Sequence, residues 1–157
     1  MKVCFIGHRN IEVNEELLSS LKETIKKLIN NGATTFLFGS KSQFDNLCWD
    51  IVTSFKPQYP EIKRIYVRSA FQHLSKSYTK YLLEYYEETY FPPKLENAGK
   101  YSYVERNYEM IDKSNFCVFY YNANYTPLKK RNSGTKIAYD YAVKKKKNII
   151  NLFNKKD

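Results

Sequence analysis

The chain has 157 residues, a formal net charge of +10 and a pI near 9.4. That length suits one domain that buries a core without disulfides or metal, and no apolar run approaches the roughly 20 residues of a membrane-spanning helix. Cys4, Cys48 and Cys117 sit singly in apolar segments and read as reduced, buried thiols; with only His8 and His73 besides, no metal-ligand spacing is legible.

In chain order, the apolar run Val3 to Ile6 is too short for a signal peptide and forms a first strand over residues 2 to 6, stopped by Gly7-His8-Arg9. Asn14 is placed to cap a helix whose apolar face carries Leu17, Leu18, Leu21, Ile25, Leu28 and Ile29 and which Gly32 closes. Residues 34 to 38 form a second strand, ending in the polar turn Gly39-Ser40-Lys41-Ser42. Phe44, Leu47, Cys48, Ile51, Val52 and Phe55 then mark an amphipathic helix ending before Pro57 and Pro60. Lys63 to Val67 is a third strand.

Residues 71 to 91 are tyrosine-rich with loose helical spacing, and Pro92-Pro93 breaks the pattern, so about 70 to 100 reads as an insertion or lid. Ser102 followed by Glu105 has the spacing of a capping box opening a helix through Met110 and Ile111. That helix leads into the strand Phe116 to Tyr121. After a loop, Ser133-Gly134-Thr135 opens a helix carrying Ile137, Ala138, Tyr141 and Ala142, and Asn148 to Phe153 closes the sheet. Strands alternating with helices imply parallel pairing, hence one Rossmann-like, three-layer α/β domain over residues 1–157 with about five strands. Three strand-to-helix junctions, at Gly7, Gly39 and Gly134, then gather helix N-termini around one crevice, an arrangement that favours phosphate.

The positive balance attracts anions of any kind, from nucleotides to nucleic acid. Lys144-Lys145-Lys146-Lys147 falls at a helix C-terminus, where cations relieve the dipole. Lys129-Lys130-Arg131 precedes Ser133-Gly134-Thr135, within reach of a phosphate held at that turn. The 15 tyrosines and 10 phenylalanines are spread over strands and helices, which suits core packing and an apolar homodimer surface. Aromatics interleaved with lysines also suit stacking of single-stranded bases.

Phe5-Ile6-Gly7-His8-Arg9, Gly39-Ser40-Lys41-Ser42-Gln43-Phe44-Asp45, Arg106-Asn107-Tyr108-Glu109-Met110-Ile111-Asp112 and Ser133-Gly134-Thr135 with Tyr141-Ala142 together resemble the SLOG superfamily. Within it the pattern is similar to the YpsA-like branch, over most of the chain except about residues 70 to 100. The resemblance implies a Rossmann-like fold that binds nucleotides or nucleotide-derived ligands. Some SLOG proteins sense nucleotide signals, some bind single-stranded DNA as DNA-processing protein A does, and the Lonely Guy branch hydrolyses nucleoside monophosphates. Carried over, Gly7 lets the backbone pass close to a ligand and His8 and Arg9 point donors at it. Gly39, Ser40 and Lys41 form a second phosphate-facing turn, with Asp45 accepting from a ribose hydroxyl. Ser133, Gly134 and Thr135 supply amides and hydroxyls unless they serve only as a helix cap, and Arg106 is an anion clamp or a surface ion-pair partner.

One departure argues against hydrolysis. Where Lonely Guy enzymes carry Pro-Gly-Gly-x-Gly-Thr-x-x-Glu, this chain has Lys130-Arg131-Asn132-Ser133-Gly134-Thr135-Lys136-Ile137-Ala138, so alanine stands in place of the catalytic glutamate. The expected function is therefore binding, without turnover, of a small phosphorylated nucleotide, ADP-ribose-like or cyclic. Its role would be as a sensor or as a sequestering protein of the phage anti-defence sponge kind. The alternatives are a nucleotide N-glycosidase or phosphoribohydrolase-like enzyme, with Asp45 or Glu105 standing in for the missing acid, and a single-stranded DNA-binding protein. The expected partner is a small nucleotide, with no cofactor, metal or membrane, in a cytoplasmic homodimer.

Overall fold

The computed structural model describes residues 1–69, 75–125 and 133–153. His73 and the run Lys129-Lys130-Arg131 lie outside the described residues. Six strands form one parallel sheet: β1 (Lys2–Gly7), β2 (Thr35–Phe38), β3 (Lys63–Val67), β4 (Glu88–Tyr90), β5 (Phe116–Tyr120) and β6 (Asn148–Asn151), in the order β4-β3-β2-β1-β5-β6. The helices are α1 (Glu15–Asn30), α2 (Gln43–Phe55), α3 (Lys76–Leu82), α4 (Ser102–Lys113) and α5 (Gly134–Lys144).

Alternation along the strands divides the core into two layers. Val3, Phe5, Phe36, Phe38 and Val118 face α1, α2 and α3, meeting Leu21, Ile25, Phe44, Cys48 and Leu82. Cys4, Ile6, Leu37, Cys117 and Phe119 face the other way, onto Met110 and Ile111 of α4 and Ala138 and Ala142 of α5. The result is a three-layer α/β arrangement. All three cysteines are free and buried.

The tyrosine-rich stretch holds part of the sheet. β4 pairs with β3 in parallel register, Tyr66 opposite Thr89, and so adds a sixth strand at the edge. Glu87, just before β4, accepts from the Arg64 backbone N–H at 3.0 Å and side-chain Nε at 3.0 Å, and is paired with Lys56 Nζ. Burial would raise the Glu87 pKa, but the hydrogen bonds from Arg64 and Lys56 outweigh it and bring it down to about 2. The capping box expected at α4 does not form. Tyr101 occupies the N-cap without a side-chain hydrogen bond, and Ser102 starts the helix with its Oγ buried and unpartnered among the described residues. A single 3-10 turn, Gly99–Tyr101, leads straight into α4 and displaces the cap by one residue.

Two helices end in the same hydrogen-bonded motif with different residues at its left-handed position. After α1, Gly32 (φ 102°) donates to the Ile29 carbonyl at 3.0 Å and Ala33 to that of Leu28 at 2.9 Å. After α5, Lys146 (φ 56°) donates to Val143 and Lys147 to Ala142, both at 3.0 Å. This is a Schellman ending in both cases, but only glycine takes a left-handed φ without strain. Replacing Lys146 by glycine is expected to stabilise the fold by roughly 0.5–1 kcal/mol, a rise of a few degrees in melting temperature, whereas Gly32→Lys should lower it by a similar amount.

Candidate functional site

From β1 the sheet grows through β2 and β3 to β4, and the chain then crosses back to place β5 on the opposite side of β1. Such a reversal opens a crevice at the carboxyl ends of the strands, which is where open α/β sheets hold ligands. A pocket of about 780 Å³ occupies this position, within the range of small-molecule sites. β1 contributes Gly7, followed by Arg9; β2 leads into Gly39, Ser40 and Lys41; α4 contributes Arg106, and α5 its first residues, Gly134 and Thr135. The wall thus carries three cations, and no carboxylate is among the described residues lining it.

Arg106 is the most constrained of the cations. It is 4% exposed, its Nε donates to Asn107 Oδ1 at 2.9 Å, and its guanidinium carbon stands 5.8 Å from the centre of the Tyr103 ring. Among the described residues it has no carboxylate within 4.0 Å. Burial lowers its pKa, opposed by the neighbouring Tyr66, Asp45 and Tyr103. A buried guanidinium without an ion pair is held at a free-energy penalty that an incoming anion relieves. Gly39 makes its placement possible, since a Cβ there would lie 2.4 Å from Arg106 Cδ and 2.5 Å from Met110 Sδ.

The turn after β2 departs from expectation. Its amides do not face the pocket: Gly39 and Ser40 N–H donate to Asp45 Oδ2 at 3.3 and 2.9 Å. Asp45 is accordingly no surface acceptor for a ribose, being 2% exposed and beneath the turn. The reason is its position three residues after Ser42, whose Oγ caps α2 by accepting from Asp45 N–H at 3.0 Å. A carboxylate there reaches back to the amides of the preceding turn. The spacing Ser42-Gln43-Phe44-Asp45 was the sequence signal for this. Its Oδ1 is buried with no partner among the described residues, and burial, tempered by the Ser40 amide and Arg106, pushes its pKa up from 3.8 to about 6.

A raised carboxylate pKa favours the protonated folded state. Its stability contribution is full below about pH 4 and is lost as pH rises through 6, a difference of roughly 3 kcal/mol for a fully buried group. His8, whose pKa burial lowers, acts in the opposite sense, stabilising above pH 6.5. The comparison that isolates Asp45 is therefore between the native chain and Asp45→Asn in denaturant titrations at pH 4 and pH 7. The native protein should lose more stability on going to pH 7, and the variant, which keeps an acceptor for the two amides, should not.

His8 is not among the described residues lining the pocket. Its Nε2 accepts from Asn122 N–H at 2.9 Å and its ring stacks on Tyr125 with centroids 4.3 Å apart, so it ties β1 to the loop after β5. Ser133 acts as the α5 cap, its Oγ accepting from Lys136 N–H at 3.0 Å. Ala138 is 1% exposed in the second core layer. Tyr66, Ser69, Tyr78, Tyr103 and Asn107 also line the pocket and were not singled out as ligand contacts in the sequence. Tyr103 was within reach of such a reading, lying three residues before Arg106 on the same helical face.

The fold is similar to that of DNA processing protein A from Helicobacter pylori, described for its single-stranded DNA binding mode, with a TM-score of 0.56 and 17% sequence identity. The likeness covers 95% of this chain and 63% of that one, so the chain spans less than two thirds of that protein's length. At this identity the likeness is one of fold. No family model matches the chain, and no curated protein matches its sequence.

Proposed function

We propose that the chain binds a small phosphorylated nucleotide, ADP-ribose-like or cyclic, in this crevice and holds it without turnover, as a sensor or sequestering protein of the SLOG kind. The observation that carries this reading is the buried Arg106 guanidinium, which lines the pocket beside Arg9, Lys41 and the α5 N-terminus and has no carboxylate within 4.0 Å among the described residues. A phosphate would supply the missing anion and meet the helix dipole as well. The test is thermal shift with nucleoside monophosphates, ADP-ribose and cyclic dinucleotides, followed by mass spectrometry of each ligand. At a hundredfold excess over Kd a true ligand stabilises by about 2.7 kcal/mol. Recovery of the ligand intact supports binding alone, and release of free base revives the phosphoribohydrolase reading.

A second reading, single-stranded DNA binding, is favoured by the likeness to DNA processing protein A and the net charge of +10. It requires oligonucleotide affinity that falls steeply with salt, by about 0.7 in the log–log slope per phosphate neutralised. No detectable binding at low salt ends it.

A further inference from the structure

A second, smaller pocket of about 210 Å³ lies beside the first, between α2 and α3. Lys41 lines both. Its Nζ stands 5.5 Å from the ring centre of Tyr78, on the first pocket, and 5.1 Å from that of Tyr81, on the second. The second pocket is too small for a whole ligand but has room for a single ring system. Its walls are the rings of Trp49, Tyr81, Tyr85 and Tyr86, over Leu82, which is fully buried.

These walls are held in place. Trp49 Nε1 donates to the Tyr85 carbonyl at 3.2 Å, and the Arg64 guanidinium lies 5.2 Å from its ring, itself fixed by Glu87. Tyr81 and Tyr85 contact each other with centroids 5.3 Å apart. On the rim, Asn46 and Asp50 stand four residues apart on α2, hence on one face. Among the described residues neither side chain has a hydrogen-bond or ion-pair partner.

Aromatic faces with an acceptor-only carboxylate and an amide at the rim match a flat heterocycle that presents an N–H₂ group at its edge. Building on the nucleotide reading above, we propose that this pocket is the base subsite: an amino-bearing nucleobase stacks against Tyr81 and Trp49, its amine donates to Asp50, and Lys41 bridges to the phosphate in the larger pocket. The charges divide accordingly, with cations around the phosphate and a carboxylate at the base.

Trp49 is the chain's single tryptophan, so its fluorescence reports on this pocket alone. The experiment titrates AMP, GMP, IMP and ribose 5-phosphate, following Trp49 emission and, in parallel, calorimetry. The tighter of AMP and GMP should change the emission saturably and bind about tenfold better than IMP, which lacks the amine. Tyr81→Ala, at a position 45% exposed where the fold tolerates truncation, should weaken that nucleotide about tenfold and leave ribose 5-phosphate unaffected. Asp50→Ala should erase the preference over IMP. Nucleotide binding with no change at Trp49, or with affinity equal to that of ribose 5-phosphate, overturns the base subsite while sparing the phosphate site. Absence of binding by every one of the four overturns the base subsite; a thermal shift with ADP-ribose or a cyclic dinucleotide then leaves the phosphate site standing, and no shift with those either overturns the nucleotide reading as well.

Discussion

Arg106→Met is expected to weaken binding of a phosphorylated nucleotide about a hundredfold, equivalent to about 2.7 kcal/mol, while the protein remains folded. Methionine keeps the apolar stem that lies against Gly39 and Met110 and removes only the guanidinium. Arg106→Lys should recover little of the loss. An ammonium keeps the charge but not the planar fork that pairs with two phosphate oxygens at once. The fold should tolerate the change because Arg106 has no ion pair within 4.0 Å among the described residues to leave orphaned. Its longer-range effect is on Asp45, whose raised pKa Arg106 holds down. Without Arg106 that pKa rises further, so the variant should lose stability towards neutral pH, and adding Asp45→Asn should restore it. Calorimetry with AMP or ADP-ribose and melting curves at pH 5 and 7 read both effects. Unchanged affinity in Arg106→Met would remove the central support for the phosphate site.

How much of this was legible in the sequence depends on whether the signal was local. β1, β2, β3 and β5 announce themselves as apolar runs, because a parallel strand buried on both faces has no other pattern to show. β4 has only Glu88, Thr89 and Tyr90, two of them half-buried, and is held by pairing with β3 rather than by its own composition. Nothing local marks it as a strand. The crevice follows from topology, and element order alone puts Gly7, Gly39 and Gly134 at the strand ends that line the pocket. The direction of individual groups was another matter. Whether the Gly39 and Ser40 amides face a ligand or Asp45, and whether His8 faces the pocket or Asn122, is decided by side chains from other elements. Tyr66, Ser69 and Tyr78 reach the pocket from β3, the loop after it, and α3, contributions that no linear motif encodes.

The two strand-end glycines carry the sharpest test of that distinction. Both read in the sequence as turns that admit a ligand, and both line the pocket, yet each is glycine for a different neighbour. A Cβ on Gly7 would lie 2.4, 2.5 and 2.6 Å from Phe44 Cδ2, Cγ and Cβ. Phe44 is fully buried on α2, packed within 5.8 Å of the Tyr120 ring, and an atom as close to the backbone as its Cβ cannot swing aside. Gly7→Ala must therefore push α2 away from β1, at about 3 kcal/mol, the upper end for overpacking, and lower the melting temperature by roughly 6–12 °C. A Cβ on Gly39 meets instead Arg106 Cδ and Met110 Sδ, far along flexible side chains that can turn away. Gly39→Ala should lower stability by only about 1 kcal/mol but weaken nucleotide binding at least tenfold, because the turned-away group is the guanidinium. Measured below its melting point, Gly7→Ala should bind within about threefold of the native protein. The opposite pattern, affinity lost at Gly7 and retained at Gly39, would place the ligand against the first turn and leave Arg106 a buried structural cation.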